Sequence, residues 1–229
     1  MPAVTYNLTF VNNSSLAGSA CVYQTAPDIG VQDVMSLAWF AKFTNPGTQA
    51  TFSWQINYSF VWGQTGTLVP GVLFNASQVL PADLSLNNKT TLVYNGGFDF
   101  SPTTSGPNPG SLYIAENNTI PPNQASVGVG MSGAGTYVVQ ADPNLQLMFT
   151  PTPQYWITFG DYTQGVVMSI EEITSTANIN FPPNTYEMVA TLNADDTWTV
   201  GTTASANAEY LAARRKDRSA KWGRAAKVG

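Results

Sequence analysis

The sequence predicts an all-β protein, an antiparallel β-sandwich of the jelly-roll kind, and three observations lead to this prediction. Apolar and polar residues alternate in many short segments, and clusters of turn residues separate these segments. Of the 229 residues, 43% are hydrophobic, which is enough for a core. Only 10% are charged, and Asn, Thr, Ser, Gly, Gln and Pro fill the polar positions, as is typical of β-rich proteins.

The strands are expected wherever apolar residues recur at every second position. The first such segment runs from Val4 to Phe10, and the clearest runs from Ala50 to Trp62, where seven apolar or aromatic residues occupy every second position and the residues between them are polar as far as Ser59. We expect the second segment to be one long strand with a buried face. Similar alternation occurs at 145–149, 155–159, 177–181 and 186–192.

Two segments depart from the β pattern. Residues Val31 to Phe43 fit either a helical face or a strand, and we favour a short helix near 31–42 that leads into a strand. From Asn207, a suitable N-cap, to Trp222 the sequence favours a basic helix of three or four turns. We therefore predict a β-sandwich domain over residues 1–201 and a basic C-terminal tail over 202–229.

The charge of the chain divides sharply between body and tail. Residues 1–208 contain two basic and twelve acidic residues, a net charge of −10, whereas residues 209–229 contain seven basic and two acidic residues, a net charge of +5. The apolar residues of the tail do not form a continuous stripe, so a helix there would gain little by packing on its own body. A segment of this kind suits a separate acidic partner.

Several catalytic chemistries are excluded or disfavoured. There is no histidine, which removes histidine general bases and the commonest transition-metal ligand. Cys21 is the single cysteine and lies in an apolar run, so we expect a buried thiol. The adjacent pairs Glu171–Glu172 and Asp195–Asp196 are poorly placed for acid–base catalysis. We predict no enzyme, no catalytic residues, no cofactor and no metal site.

One motif resembles a nucleotide-binding fingerprint. Residues 128–133 match G-x-G-x-x-G, but the segment that follows has a strand pattern rather than a helical one. We therefore expect a glycine-rich strand or bulge that another backbone or a large aromatic side chain approaches closely.

Our leading functional hypothesis is a structural protein that self-assembles into a homo-oligomer or filament. The basic tail of one subunit would dock on the acidic body of its neighbour, while the acidic body disfavours nucleic acid as the partner. The tail residues expected to bind are Tyr210, Leu211, Arg214, Arg215, Lys216, Arg218, Lys221, Trp222, Arg224 and Lys227.

Two alternatives stay open at this stage. The β-sandwich could bind a polysaccharide or another surface, with Trp62 and Tyr162 as stacking platforms, or the tail could be a sorting or loading signal. The chain as given shows no signal peptide and no apolar run long enough to span a membrane. The cytoplasm and export by a non-Sec route are both compatible with these features.

Four phrases resemble RhiA-like proteins, a family named for a rhizosphere-expressed protein of rhizobia. They are SLAWFAKF (36–43), WQINYSFVWGQTG (54–66), GVGMSGAGTY (128–137) and YWITFG (155–160). The resemblance extends over residues 3–201 and implies an abundant bacterial protein of non-enzymatic character, without catalytic residues to carry over. The tail lies outside the resemblance.

Overall fold

The structure is a computed structural model that describes residues 4–25, 33–209 and 212, and strands are its main regular structure. The strands are β1 (Thr5–Asn12), β2 (Gly18–Gln24), β3 (Met35–Ser36), β4 (Phe40–Thr44), β5 (Gln49–Gln55), β6 (Tyr58–Gly63), β7 (Gln78–Ala82), β8 (Lys89–Tyr94), β9 (Phe98–Phe100), β10 (Leu112–Glu116), β11 (Ser126–Met131), β12 (Ala134–Gln140), β13 (Gln146–Phe149), β14 (Tyr155–Gly160), β15 (Thr176–Ile179), β16 (Glu187–Leu192) and β17 (Trp198–Thr202). A 3₁₀ helix covers Ile170–Glu172.

These strands form four sheets. Sheet 1 has the order β17-β16-β1-β5, sheet 2 the order β15-β14-β2-β4, sheet 3 the order β3-β12-β11-β6-β7, and sheet 4 the order β13-β10-β8-β9. Neighbouring strands are antiparallel except for β1 with β16 and β8 with β10, which are parallel. The predicted all-β sandwich class is confirmed, and the two parallel pairs are features that the alternation does not reveal.

The sheets pack in pairs to give two sandwiches. Sheets 1 and 2 enclose one core, in which Phe10 and Trp54 of sheet 1 meet Val22 and Ile157 of sheet 2. Sheets 3 and 4 enclose the other core. Apart from β3, the strands of the second sandwich lie between β5 and β14 in the chain, so the second sandwich is inserted into the first.

The two sandwiches contact each other through buried hydrogen bonds. The indole Nε1 of Trp39, in the first core, donates to the carbonyl oxygen of Met131 at 2.9 Å. The hydroxyl group of Tyr137 donates to Gln24 Oε1 at 3.1 Å. These bonds tie β12 and the β11–β12 hairpin to the first sandwich.

The alternating segment from Ala50 to Trp62 is two strands rather than the single long strand predicted. β5 ends at Gln55 and β6 begins at Tyr58, with Ile56 exposed between them. Trp54 is buried in the first core, whereas Phe60 is buried in the second. The periodicity continues because both strands bury one face, but the chain passes from one sandwich to the other at the break.

The short helix favoured near 31–42 is wrong for the described part of that segment. Residues 35–36 and 40–44 are strands, and residue 37 forms an isolated β-bridge with Val167. Leu37, Ala38 and Trp39 each enter a different apolar cluster. The flanking strands and the bridge at residue 37 identify this backbone as extended, and successive side chains of an extended backbone point to opposite sides, so neighbouring residues can enter separate clusters.

The glycine-rich segment 128–133 is a strand and a tight turn, as expected. A Cβ added at Gly128 would clash with the carbonyl oxygen of Tyr137 on the neighbouring strand. The pairing of β11 with β12 also shifts register between Val129 and Gly130, which marks a bulge. The close approach of another backbone therefore accounts for Gly128.

The end of the described chain is a helix at residues 203–209, four residues before the start predicted from Asn207. Thr202 caps this helix, because its Oγ1 accepts from the backbone N–H of Ser205 at 3.2 Å. Among the described residues no helix has both the length and the apolar character that a membrane span requires. The predicted domain boundary after residue 201 stays a prediction.

Candidate functional site

A cleft lies at one end of the first sandwich, where the start of β1, the end of β5, the start of β14 and the end of β15 meet. Its volume is about 580 Å³, within the range of about 300–1,000 Å³ that is common for small-molecule sites. The lining residues are Tyr6, Ile56, Pro153, Gln154, Tyr155, Trp156, Asn178, Ile179, Asn180 and Phe181.

Aromatic rings form much of this cleft. The rings of Tyr6 and Phe181 meet edge to face with centroids 5.0 Å apart, and Tyr186 packs on Tyr6 at 5.6 Å. Behind them lies Trp54, whose ring centroid is 5.0 Å from that of Tyr155 and 5.6 Å from that of Phe181. This packing holds Tyr6 and Phe181, which are half-buried, in fixed orientations at the cleft.

The polar lining consists of amides. Gln154, Asn178 and Asn180 are exposed, and none of the described residues that line the cleft is charged. Asn178 lies in edge strand β15 and Asn180 directly follows the end of that strand. An amide both donates and accepts hydrogen bonds without carrying a charge.

Two of the lining residues carry buried donors without a hydrogen-bond partner, the hydroxyl group of Tyr155 and the indole Nε1 of Trp156. Tyr155 is only 7% exposed. Burial raises its pKa to about 12, and the neighbouring indole of Trp54 opposes this rise, although the two groups do not meet hydrogen-bond geometry. Tyr155 belongs to the core of the first sandwich and Trp156 packs on the cluster around Cys21, so both unpaired donors are buried beside the cleft rather than open to it.

The two stacking residues predicted from the sequence lie elsewhere. Trp62 is 8% exposed and belongs to the core of the second sandwich, where its Nε1 donates to Gln78 Oε1 at 2.6 Å. Tyr162 is half-buried and packs on the cluster around Cys21 and Tyr23. The structure thus places them in different clusters and neither in the cleft, and the buried Trp62 offers little ring surface to a ligand.

The predicted tail residues, which are Tyr210, Leu211, Trp222 and all the basic residues from Arg214 to Lys227, lie outside the described residues. The preceding helix at 203–209 is on the outer face of sheet 1, and a groove of about 420 Å³ separates it from Val11 and Val189. Most of this helix is exposed. The described part of the C-terminal segment therefore makes little contact with its own body.

Three acidic side chains of the body have shifted pKa values, and these three occupy two kinds of environment. Asp83 and Asp195 stabilise turns, where hydroxyl and backbone donors of their own turns lower the pKa of each carboxyl group. Glu116 is only 2% exposed, and burial raises its pKa to about 8, although its Oε2 accepts from the backbone N–H of Asp142 at 2.8 Å. The other oxygen of Glu116 has no partner.

Nucleophilic and metal-binding groups are sparse in the described structure. The thiol of Cys21 is free and fully buried, and desolvation raises its pKa far above the usual range, as expected for a structural cysteine. Over residues 4–25 and 33–209, no three Asp, Glu, Cys or His side chains cluster in a way that could hold a metal ion.

The fold and the cleft define an all-β protein of two linked sandwiches with a neutral, aromatic cleft at one end. A family model described as RhiA matches residues 3–203, and the chain belongs to that family. Protein RhiA of Rhizobium leguminosarum bv. viciae is 42% identical over 198 residues, which is 85% of this chain and 85% of that protein. The resemblance seen in the sequence is thereby confirmed. No solved structure matches the chain.

Proposed function

We propose that this protein is a structural subunit that self-assembles, with the basic C-terminal tail of one copy docking on the acidic body of the next. The observation that carries the proposal is the separation of charge, −10 over residues 1–208 and +5 over residues 209–229. Opposite charges of this size on one chain attract between copies, and a contact that does not close on itself extends into a filament.

The surface of the body supports this proposal because its carboxylates are accessible. The exposed acidic residues are Asp33, Asp99, Asp142, Asp161, Glu171, Glu172, Glu187, Asp195 and Asp196. Lys42, one of the two lysines of residues 1–208, donates to the carbonyl oxygen of Thr51 rather than to a carboxylate. The negative charge of the surface is therefore available to a basic partner.

The position of the tail also supports it. The match to the family ends at residue 203, so the basic segment lies beyond the part of the chain that the family shares. Residues 210–229 could extend about 30 Å as a helix or about 70 Å as an extended chain, which is enough to reach a neighbouring subunit.

Truncation after Glu209 tests the proposal while keeping the capped helix at 203–209. We expect the full chain to form oligomers or fibres at ~50 mM salt and to dissociate at ~500 mM salt, because salt screens exposed charges. The truncated chain should stay monomeric at both concentrations. Sedimentation velocity and electron microscopy measure the difference.

A second variant separates charge from length. Replacing Arg214, Arg215, Lys216 and Arg218 with Gln keeps the tail but removes most of its charge, and we expect it to behave like the truncated chain. If the truncated chain assembles as the full chain does, or if neither assembles at low salt, the proposal is wrong. A tail that changes the cellular destination of an unrelated fusion protein would instead favour a sorting signal.

A further inference from the structure

We propose that the cleft between Tyr6, Gln154, Tyr155, Asn178, Asn180 and Phe181 is a binding site for a neutral carbohydrate. This inference does not depend on the tail or on self-assembly. In the sequence, Trp62 and Tyr162 are the candidates for sugar binding, whereas the proposed site is formed by both sheets of the first sandwich.

The aromatic part of the cleft suits the apolar faces of sugar rings. Tyr6 and Phe181 are half-buried, and their edge-to-face contact at 5.0 Å fixes the orientation of both rings before a ligand arrives. Trp54 and Tyr155 support them from behind. A rigid aromatic surface binds with little loss of conformational entropy, and its apolar face can pack against the C–H groups of a sugar.

The polar part of the cleft suits the hydroxyl groups of a sugar. Gln154, Asn178 and Asn180 are exposed at the rim, and each amide can donate to one hydroxyl group while accepting from another. The Tyr155 hydroxyl and the Trp156 indole N–H are donors without partners in residues that line the cleft. Both of these atoms are buried away from solvent, so the three exposed amides are the polar groups that a ligand in the cleft can reach.

The absence of charge among the described lining residues selects between ligand classes. A phosphate, carboxylate or uronic acid would find no cation in the lining and would meet a body with an excess of carboxylates. The basic tail would find no carboxylate in the lining either. The cleft is therefore matched to a neutral oligosaccharide rather than to an acidic polysaccharide or to the tail.

Calorimetric titration of the full-length protein tests this site. The probes are neutral oligosaccharides of the β-glucan, mannan and galactan types, with oligogalacturonate as the acidic counterpart. We expect at least one neutral probe to bind and to change the tryptophan fluorescence, because Trp54 and Trp156 lie in or against the cleft. Oligogalacturonate should not bind.

Three variants locate the binding. Asn180→Ala removes an exposed amide, and Phe181→Leu replaces the ring with an apolar side chain that keeps the packing. Each should weaken binding by about threefold to tenfold, the loss expected for one hydrogen bond or stacking contact. Tyr162→Ala is the matched control, because Tyr162 is half-buried but lies outside the cleft, and it should leave affinity unchanged.

Two results would overturn the proposal. One is the failure of every neutral probe to bind at millimolar concentration. The other is binding that survives both cleft variants unchanged, since the ligand would then lie elsewhere on the molecule. Circular dichroism of Asn180→Ala and Phe181→Leu confirms that any loss of affinity occurs in folded protein.

Discussion

Glu116 shows how a single buried carboxyl group can make the stability of the protein depend on pH. Its side chain is almost completely buried at the end of β10, with one oxygen bonded to the backbone N–H of Asp142 and the other unpaired. Desolvation raises its pKa from 4.5 to about 8. The folded protein therefore favours the protonated form over a range in which the unfolded chain is ionised.

Glu116→Gln should remove this dependence. The protonated Glu116 carboxyl group contributes its full stability to the fold below about pH 4.5. This contribution is lost as the pH rises towards about 8, because the unfolded chain ionises first. At pH 8 we expect the Gln variant to be more stable than the native protein by on the order of 4 kcal/mol, with little difference below pH 4.5. Urea unfolding at a series of pH values measures the difference.

Glu116→Asp is the control for that experiment, because it keeps an ionisable group at the same place. We expect it to retain the fall in stability between pH 4.5 and 8. If the native protein and the Gln variant change in parallel with pH, then the Glu116 carboxyl group does not carry the effect.

Two buried tyrosines, Tyr155 and Tyr137, allow the effect of an unpaired hydroxyl group on stability to be compared with that of a hydrogen-bonded one. Tyr155→Phe removes a hydroxyl group without a partner, so the free energy of unfolding should be unchanged or slightly higher. Tyr137→Phe removes a donor to Gln24 Oε1 and should cost about 1 kcal/mol. Chemical denaturation of both variants measures the two effects. An equal loss for Tyr155→Phe would show that its hydroxyl group is already satisfied.

Among the secondary-structure elements, strands were predictable wherever one face alone is buried. The alternation at 186–192 corresponds to β16, in which Met188, Ala190 and Leu192 are buried. The prediction of one continuous strand failed between Gln55 and Tyr58. Alternation indicates that one face of a strand is buried, but it does not indicate which sheet the strand belongs to. At Leu37 to Trp39 the rule was weak, since all three side chains are buried and no periodicity remains.

The cleft could not be predicted because its residues converge from distant parts of the chain. Tyr6, Tyr155 and Phe181 each appeared only as one apolar position in an alternating segment. What brings them together is the pairing of β1 with β5 in one sheet and of β14 with β15 in the other. Trp62 looked equally suitable in sequence, but β6 is covered on both faces and its ring is buried.

The β11–β12 hairpin depends on the absence of a side chain at Gly128. A methyl group there would collide with the Tyr137 carbonyl oxygen and lie 2.8 Å from the Cα of Val138, so the two strands would have to separate. We expect Gly128→Ala to lower the free energy of unfolding by about 3 kcal/mol. Gly97→Ala, which would meet no atom within 4 Å, should change it by less than about 0.5 kcal/mol.

Thermal and urea unfolding of these two glycine variants measure the effect. A Gly128→Ala protein as stable as Gly97→Ala would mean that β11 and β12 can separate without loss. In that case the close strand approach would not be the reason for the glycine.

The whole molecule combines an acidic body of two sandwiches with a basic tail that the shared family region does not include. The helix at 203–209 leads towards the tail and exposes most of its own surface. Self-assembly and sugar binding are compatible, because the proposed tail contact uses charged surfaces and the cleft lining is neutral. An assembled array would present many copies of the cleft, which increases avidity for a repeating polysaccharide.

Carbodiimide cross-linking of a mixture of equal amounts of ¹⁵N-labelled and unlabelled protein can show whether the tail of one copy contacts the body of another. This reagent joins lysine amines to carboxylates in direct contact, and Lys216, Lys221 and Lys227 are in the tail. We expect mixed-isotope peptide pairs between these lysines and exposed carboxylates such as Glu187 and Asp195 at low salt, and their loss at high salt. Cross-links of a single isotope only, or none from the tail, would contradict docking between subunits.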